Sequence, residues 1–243
     1  MNSKEWFAEW FDTSYYHQLY KHRNDDEAAF FIKNLVDYLQ LGQGEKVLDL
    51  ACGKGRHSRT LNELGLNVFG VDLSSNSISE AQKHSKDGLR FSVQDMREPI
   101  ENETFSVIFN LFTSFGYFDN SSENQKVIDA ISVMLKPKGT VVIDFMNARK
   151  VVDTLVESEV KSVDNIDFHI TRNYDGNHIF KHIRFTDEGT NFHFTERVQA
   201  LMLSDFQQLL SKDFSNVRTF GDFDLSAFDS NISNRLIIVA QKN

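Results

Sequence analysis

Val47-Leu48-Asp49-Leu50-Ala51-Cys52-Gly53-Lys54-Gly55-Arg56-His57-Ser58 decides how the rest of the chain is read. Val47, Leu48 and Leu50 form the apolar run of a strand buried on both faces. The run ends on an acid, turns on Gly53 and Gly55, and opens a helix. Glycine lets the backbone approach a ligand, because no Cβ intervenes. The helix start adds unpaired N–H groups and the positive end of the helix dipole. The stretch therefore predicts an anion-binding pocket at the carboxyl end of a strand.

The same grammar repeats outward. Arg56 to Leu64 reads as a helix stopped by Gly65, and Asn67–Asp72 as a second strand ending on an acid. Ser74 or Ser75 caps a helix running to about Ser85, with Ile78 and Ala81 inward. Leu89–Asp95 is a third strand, again closed by an acid, and Phe105–Phe112 a fourth. Ser122 with Gln125 makes a capping box for a helix carrying Val127, Ile128, Ile131 and Leu135. Lys136-Pro137-Lys138-Gly139 breaks before a fifth strand, Thr140–Phe145. This alternation predicts an α/β fold built on a doubly wound, mostly parallel sheet.

Residues 1–23 are rich in aromatics, with Trp6 and Trp10, and Phe7 and Phe11, four apart as on one helix face. They are expected to pack as a helix or to act as a lid that presents Tyr16, Tyr20 and Arg23 to a site. Asn24 and Glu27 form a capping box for a helix with Phe31, Leu35 and Leu39 inward, ended by Gly42. After residue 150 the period changes. Ile166, Phe168, Ile170; Ile179, Ile183, Phe185; and Phe192, Phe194, Val198, Ala200 alternate with polar residues, which predicts three antiparallel strands with one apolar face. That face must lie on the main domain or on another subunit. An Asp175-Gly176 turn would set His169 opposite His182 and His178 opposite Asn173, with His193 on the same polar face. No fourth ligand accompanies the histidines, so no metal is expected. Ser204 with Gln207 opens a last helix, and Val217–Phe223 and Arg235–Gln241 are two closing strands. The expected organisation is a lid plus cofactor half over 1–150, an antiparallel β insertion over 151–202, and the last helix and closing strands over 203–243.

The 26 basic and 35 acidic residues give a net charge of −9, which disfavours broad nucleic-acid or anionic-membrane contact. No apolar run approaches the ~18 residues of a membrane span. One cysteine, Cys52, excludes an internal disulfide, and Met1–Trp6 lacks the order of a signal peptide. A cytoplasmic protein, monomer or homodimer, is expected.

What the glycine turn binds follows from its departures. The dinucleotide pattern would place a third glycine where Ser58 stands, and pyrophosphate is repelled by Asp49. A ligand end carrying both an ammonium and a carboxylate suits this turn. Asp72, at the second strand tip, suits a ribose diol, and Asp95, at the third, an exocyclic amine. Amino-acid end, ribose and adenine in that order are the layout of S-adenosylmethionine. Val47–Gly55 resembles the first motif of class I S-adenosylmethionine-dependent methyltransferases of the small-molecule type, with Ala51 replacing the usual first glycine. Gly70-Val71-Asp72-Leu73-Ser74 is similar to the second motif and Gln94-Asp95-Met96 to the third. Phe105–Asn110 resembles the fourth strand, and Leu135–Gly139 the turn before the fifth.

The resemblance implies a Rossmann-like seven-stranded sheet with a reversed last strand. It also implies S-adenosylmethionine as cofactor and methyl transfer to an oxygen or nitrogen of a small molecule. Asp49, Ala51 and Gly53, with Cys52, are implied at the methionine end, and Asp72 at the ribose. Leu73 is implied against adenine, Asp95 and Met96 at its amine edge, and Asn110 and Leu111 beside the sulfonium. Arg56, Tyr16 and Arg23 are further cofactor candidates. Tyr20, Thr113, Ser114, Phe115 and Tyr117 are substrate candidates, with Phe115–Phe118 as an aromatic wall. No general base is assigned. The alternatives are a cofactor-binding protein without methyl transfer and a nicotinamide-dependent oxidoreductase.

Overall fold

The computed structural model describes residues 10–21, 25–118 and 120–243. Arg23, Trp6, Phe7 and Asn24 lie outside the described residues. A short helix α1 (Ser14–Leu19) and a long helix α2 (Asp25–Leu39) precede the first strand, β1 (Lys46–Leu50). Then follow α3 (Arg56–Glu63), β2 (Asn67–Asp72), α4 (Ser75–Gln82), β3 (Leu89–Val93), β4 (Phe105–Asn110), α5 (Ser121–Met134), β5 (Leu135–Met146) and α6 (Ala148–Asp153). Four strands come next: β6 (Ser158–Val163), β7 (Ile166–Tyr174), β8 (His178–Asp187) and β9 (Thr190–Gln199). The chain closes with α7 (Leu203–Leu210), β10 (Phe214–Phe220) and β11 (Arg235–Lys242).

The main sheet has seven strands in the order β10-β11-β5-β4-β1-β2-β3. β5, β4, β1, β2 and β3 run parallel, while β11 is antiparallel to both its neighbours. This is the expected doubly wound sheet with a reversed last strand. β1 lies centrally and is covered on both faces, as its apolar run demands. Chain order reverses beside β1, and the carboxyl ends of β1 and β4 open the crevice there.

Local signals differ in detail from the expectations. Asn120, not Ser122, caps α5 by accepting from the Glu123 N–H. Asp205 closes the start of α7 by accepting from the Met202 N–H, so the Ser204–Gln207 box does not form. Gln40, at φ 54°, turns the chain out of α2 before Gly42 is reached. β5 begins at Leu135, and Lys138, at φ 62°, carries the irregularity that Pro137 predicted as a break.

The insertion is a four-stranded antiparallel sheet in the order β6-β7-β8-β9, one strand more than expected. β6 was illegible because its face is mostly polar and exposed. The β7–β8 register is also shifted by two residues. Asp175 N–H donates to the His178 carbonyl, so Gly176 and Asn177 are the central turn residues. The Asp175 carboxylate accepts from the N–H groups of Asn177 and His178, and Gly176 supplies φ 100°. His169 therefore pairs with Arg184 and His182 with Thr171. A two-residue slip preserves the faces. The apolar face packs not on the main sheet but on the N-terminal segment, with Trp10 and Leu19 buried among Phe168, Ile170, Ile183 and Phe185.

Candidate active site

β1 ends in a backbone built for close approach. Ala51 sits at φ 65°, where an alanine carries strain of roughly 1 kcal/mol. Gly53 and Gly55 sit at φ 56° and 78°. A Cβ on Gly53 would meet nothing within 4 Å, so that glycine faces open space. A Cβ on Gly55 would collide with the Phe91 ring at 2.6 Å, so that glycine is required by packing. Gly55 is also the residue from which α3 starts.

Asp72 ties two strand tips together. Its Oδ2 accepts from the Gly53 N–H at 2.8 Å, and its Oδ1 from the Ser74 N–H at 2.8 Å. Burial pushes its carboxyl above the ordinary range, against those two hydrogen bonds. Ser74 then caps α4, and its hydroxyl donates to Asp12 at 2.6 Å. Asp12 also accepts from the Asn76 side chain at 2.7 Å, which fastens the N-terminal segment to the cofactor half.

A cavity of about 370 Å³ lies over these tips. Ala51, Cys52, Gly53, Arg56, Asp72 and Leu73 line it, as do Asp95, Met96 and Leu111. Tyr16, Tyr20, Ser114 and Tyr117 line it too. Four of the expected residues stand elsewhere. Asp49 is buried behind the turn and accepts from the Ser58 hydroxyl at 2.5 Å. Burial pushes its carboxyl to about 6. Asn110 is buried one layer down and donates to the Leu50 carbonyl at 3.1 Å. Thr113 accepts from Arg235 at 3.0 Å. Phe115 is a correction: it is fully buried against Phe206 and belongs to the core, not to the cavity wall. Asp95 lines the cavity, but its two oxygens accept from the Arg97 guanidinium. Burial pushes the Asp95 carboxyl up, and the Arg97 hydrogen bonds outweigh it and hold the group below its ordinary range.

Sequence reasoning missed the elbow after β4. Phe112 and Thr113, at φ 61° and 60°, are consecutive non-glycine residues in the left-handed region. Asp144 holds both: its carboxylate accepts from the Phe112 N–H at 2.9 Å, and its carbonyl from the Thr113 N–H at 2.9 Å. Arg235 Nε donates to Asp144 at 2.7 Å, which neutralises a fully buried acid. Phe112 thereby reaches the cavity beside His57, with the Arg56 guanidinium 4.8 Å from its ring centroid. The elbow joins three distant strands, so no local signal marks it.

The polar face of the insertion holds no metal-binding cluster among the described residues. His182 instead meets Thr195 and Asn173 through its two ring nitrogens, at 3.0 and 3.1 Å.

Residues 41–199 match the family model of a methyltransferase domain, well over half of the chain. The chain belongs to that family. The methyltransferase is similar over most of its length to the protein named "Putative methyltransferase YqeM" of Bacillus subtilis (strain 168), at 26% identity over 241 residues, covering 95% of each chain. Its fold superposes on an S-adenosylmethionine-dependent methyltransferase from Clostridium acetobutylicum ATCC 824 with a TM-score of 0.78 at 20% identity, covering 94% of this chain and 96% of that one. It also superposes on the S-adenosylmethionine-bound amino pentose methyltransferase CalS10 from Micromonospora echinaspora, with a TM-score of 0.69 at 16% identity, covering 95% and 98%. The cofactor of this methyltransferase is S-adenosylmethionine, and the nicotinamide alternative falls away. No helix among the described residues is long and apolar enough to cross a membrane.

The donor set fits that cofactor. Asp72 spends one lone pair of each oxygen on backbone N–H groups and keeps others for two ribose hydroxyls. Gly53 leaves room for the methionine end, and the α3 start suits its carboxylate. The Asn110 Oδ1, buried beside the β1 tip, has no hydrogen-bond partner among the described residues.

Proposed function

We propose that this methyltransferase moves a methyl group from S-adenosylmethionine to an oxygen or nitrogen of a small molecule. The observation that carries the reading is the size and lining of the cavity. Its strand-tip side presents the cofactor groups, and its opposite side is the N-terminal segment, latched by Asp12 to Ser74 and Asn76. A cavity of about 370 Å³ is of the size that suits small ligands. The amino pentose named for CalS10 is an acceptor of this size class.

Asp72 would hold the ribose, Leu73 would pack on adenine, and Met96 would offer its N–H to the adenine edge. Ala51, Cys52 and Gly53 would surround the methionine end, with Arg56 within reach of its carboxylate. The sulfonium supplies an electrophilic methyl group, so the protein's work is to orient the acceptor and exclude water. Ser114, Tyr117 and Tyr20, which line the cavity, would meet the acceptor. The test is release of S-adenosylhomocysteine in a library of small amines and hydroxy compounds. Turnover with one structural class is expected. Cofactor binding with no turnover by any small acceptor, alongside methylation of a protein or RNA, would contradict the proposal.

A further inference from the structure

A costly turn stands behind one wall of the cavity. β4 leads into two consecutive non-glycine residues in left-handed backbone, Phe112 at φ 61° and Thr113 at φ 60°. A β-branched residue such as threonine rarely adopts that conformation. Such a turn persists only where its surroundings over-determine it. Here they do. Arg235, the first residue of β11, donates through Nε to the Asp144 carboxylate and through Nη2 to the Thr113 hydroxyl. Asp144, on β5, is fully buried and accepts from the Phe112 N–H. The Tyr117 hydroxyl donates to the Thr113 carbonyl. Groups from β5, β11 and the loop after β4 therefore hold two residues in place.

What the turn delivers is a ring. Phe112 is half-buried and lines the cavity, so core packing does not account for it. Its ring stacks on Phe223 with centroids 5.7 Å apart and lies 5.2 Å from the His57 ring. Over it sits the Arg56 guanidinium, 4.8 Å from the ring centroid and within cation–π range. The Arg56 Nη1 is also 3.9 Å from Asp25, but that acid is exposed, and a long contact of this kind orients a guanidinium weakly. The ring is the firmer of these two supports.

The geometry points to Phe112, Asp144 and Arg235 as positioning residues for the methionine end of the cofactor. Arg235 fixes Asp144, Asp144 fixes the Phe112 backbone, and the Phe112 ring carries the Arg56 guanidinium. This rests on the proposed placement of Arg56 at the cofactor carboxylate. The two ends of the cofactor are then set by different parts of the sheet. Asp72 and Asp95 come from the tips of β2 and β3, whereas the elbow is held from β5 and β11, on the other side of β1. Loosening the elbow should therefore weaken the grip on the amino-acid end and leave the nucleoside end as it was.

The test compares two probes in titration calorimetry on the full chain. S-Adenosylhomocysteine carries the amino-acid end, and 5′-methylthioadenosine lacks it while keeping adenine, ribose and sulfur. Wild type is expected to bind the first more tightly. Phe112→Leu and Arg235→Lys are expected to lower that preference roughly fivefold, with the affinity for 5′-methylthioadenosine unchanged. In an Arg56→Met background, Phe112→Leu is expected to lower it no further. Phe112→Leu leaves the Asp144–Arg235 pair intact, so it stands as the test if Arg235→Lys does not fold. Equal weakening of both probes would show a merely structural role and overturn the inference, as would an unchanged preference in Phe112→Leu. A preference unmoved by Arg56→Met would instead overturn the placement of Arg56, and failure of S-adenosylhomocysteine to bind wild type would overturn the cofactor assignment beneath both.

Discussion

The two sheets serve one cavity in different ways, one directly and one through the N-terminal segment. In the parallel sheet each proposed cofactor-facing group sits at the end of its own strand, so Ala51, Asp72 and Asp95 arrive from contiguous strand–turn segments. In the antiparallel sheet no strand residue lines the cavity. Its contribution is indirect. Glu196 of β9 accepts from Trp10 Nε1 at 2.7 Å and from the Tyr20 hydroxyl, and Lys181 of β8 pairs with Glu196 at 3.7 Å. Asp187 likewise accepts from Tyr15 at 2.9 Å. The four-stranded sheet acts as the floor on which the N-terminal segment is seated. The lesson is that a strand tip displays chemistry, whereas a strand face displays packing.

The largest expected effect lies on the parallel side. Asp72→Ala removes two backbone anchors and the proposed ribose acceptor together. It should weaken S-adenosylhomocysteine binding by about 2–4 kcal/mol, measured by calorimetry. An unchanged affinity would break the strand-tip assignment.

On the antiparallel side the expected loss is of stability. Trp10 is 1% exposed, packs on Phe194 at 4.4 Å, and holds Glu196. Trp10→Ala should cost about 3 kcal/mol in chemical denaturation. If cofactor affinity fell as far as in Asp72→Ala while stability held, the division between display and seating would be wrong.

Asp49 sharpens the comparison through pH. An unfolded aspartate titrates near about 3.9, whereas the folded group stands at about 6. The folded state therefore binds more protons in that window, so this group's contribution to stability falls as pH rises through it. Wild type should lose about 3 kcal/mol relative to Asp49→Asn between about pH 4 and pH 7, read from paired melting curves. Parallel pH profiles would show that the buried carboxyl is not perturbed.

The smallest effect belongs to the hairpin tip. Gly176→Ala forces φ 100° on an alanine and should cost about 1 kcal/mol, with cofactor affinity unchanged. A neutral result would mean that the turn relaxes freely.

Legibility followed the same division. Asp72 and the glycines were readable because their neighbours in space, Gly53 and Ser74, are also close to strand ends in sequence. The alternation in residues 166–200 told which faces were apolar, but the turn was misread by two residues. Asp175 and Gly176 satisfy two turn registers equally on composition, and only the Asp175 carboxylate's choice of N–H groups decides between them. Phe115 was taken for a wall because aromatic composition does not distinguish a core ring from a lining ring. The Asp144–Arg235–Thr113 elbow and the Glu196–Tyr20–Lys181 cluster were illegible, since each joins elements far apart in the chain.

The central claim is that the strand-tip cavity holds S-adenosylmethionine with Asp72 on the ribose. Calorimetric titration of S-adenosylmethionine and of its 2′-deoxyribose analogue into the wild type and Asp72→Asn tests it most directly. The account predicts tight binding of S-adenosylmethionine to the wild type, a clear loss with the deoxy analogue, and the same weak binding of both ligands to Asp72→Asn. Equal affinity of the wild type for both ligands would contradict it.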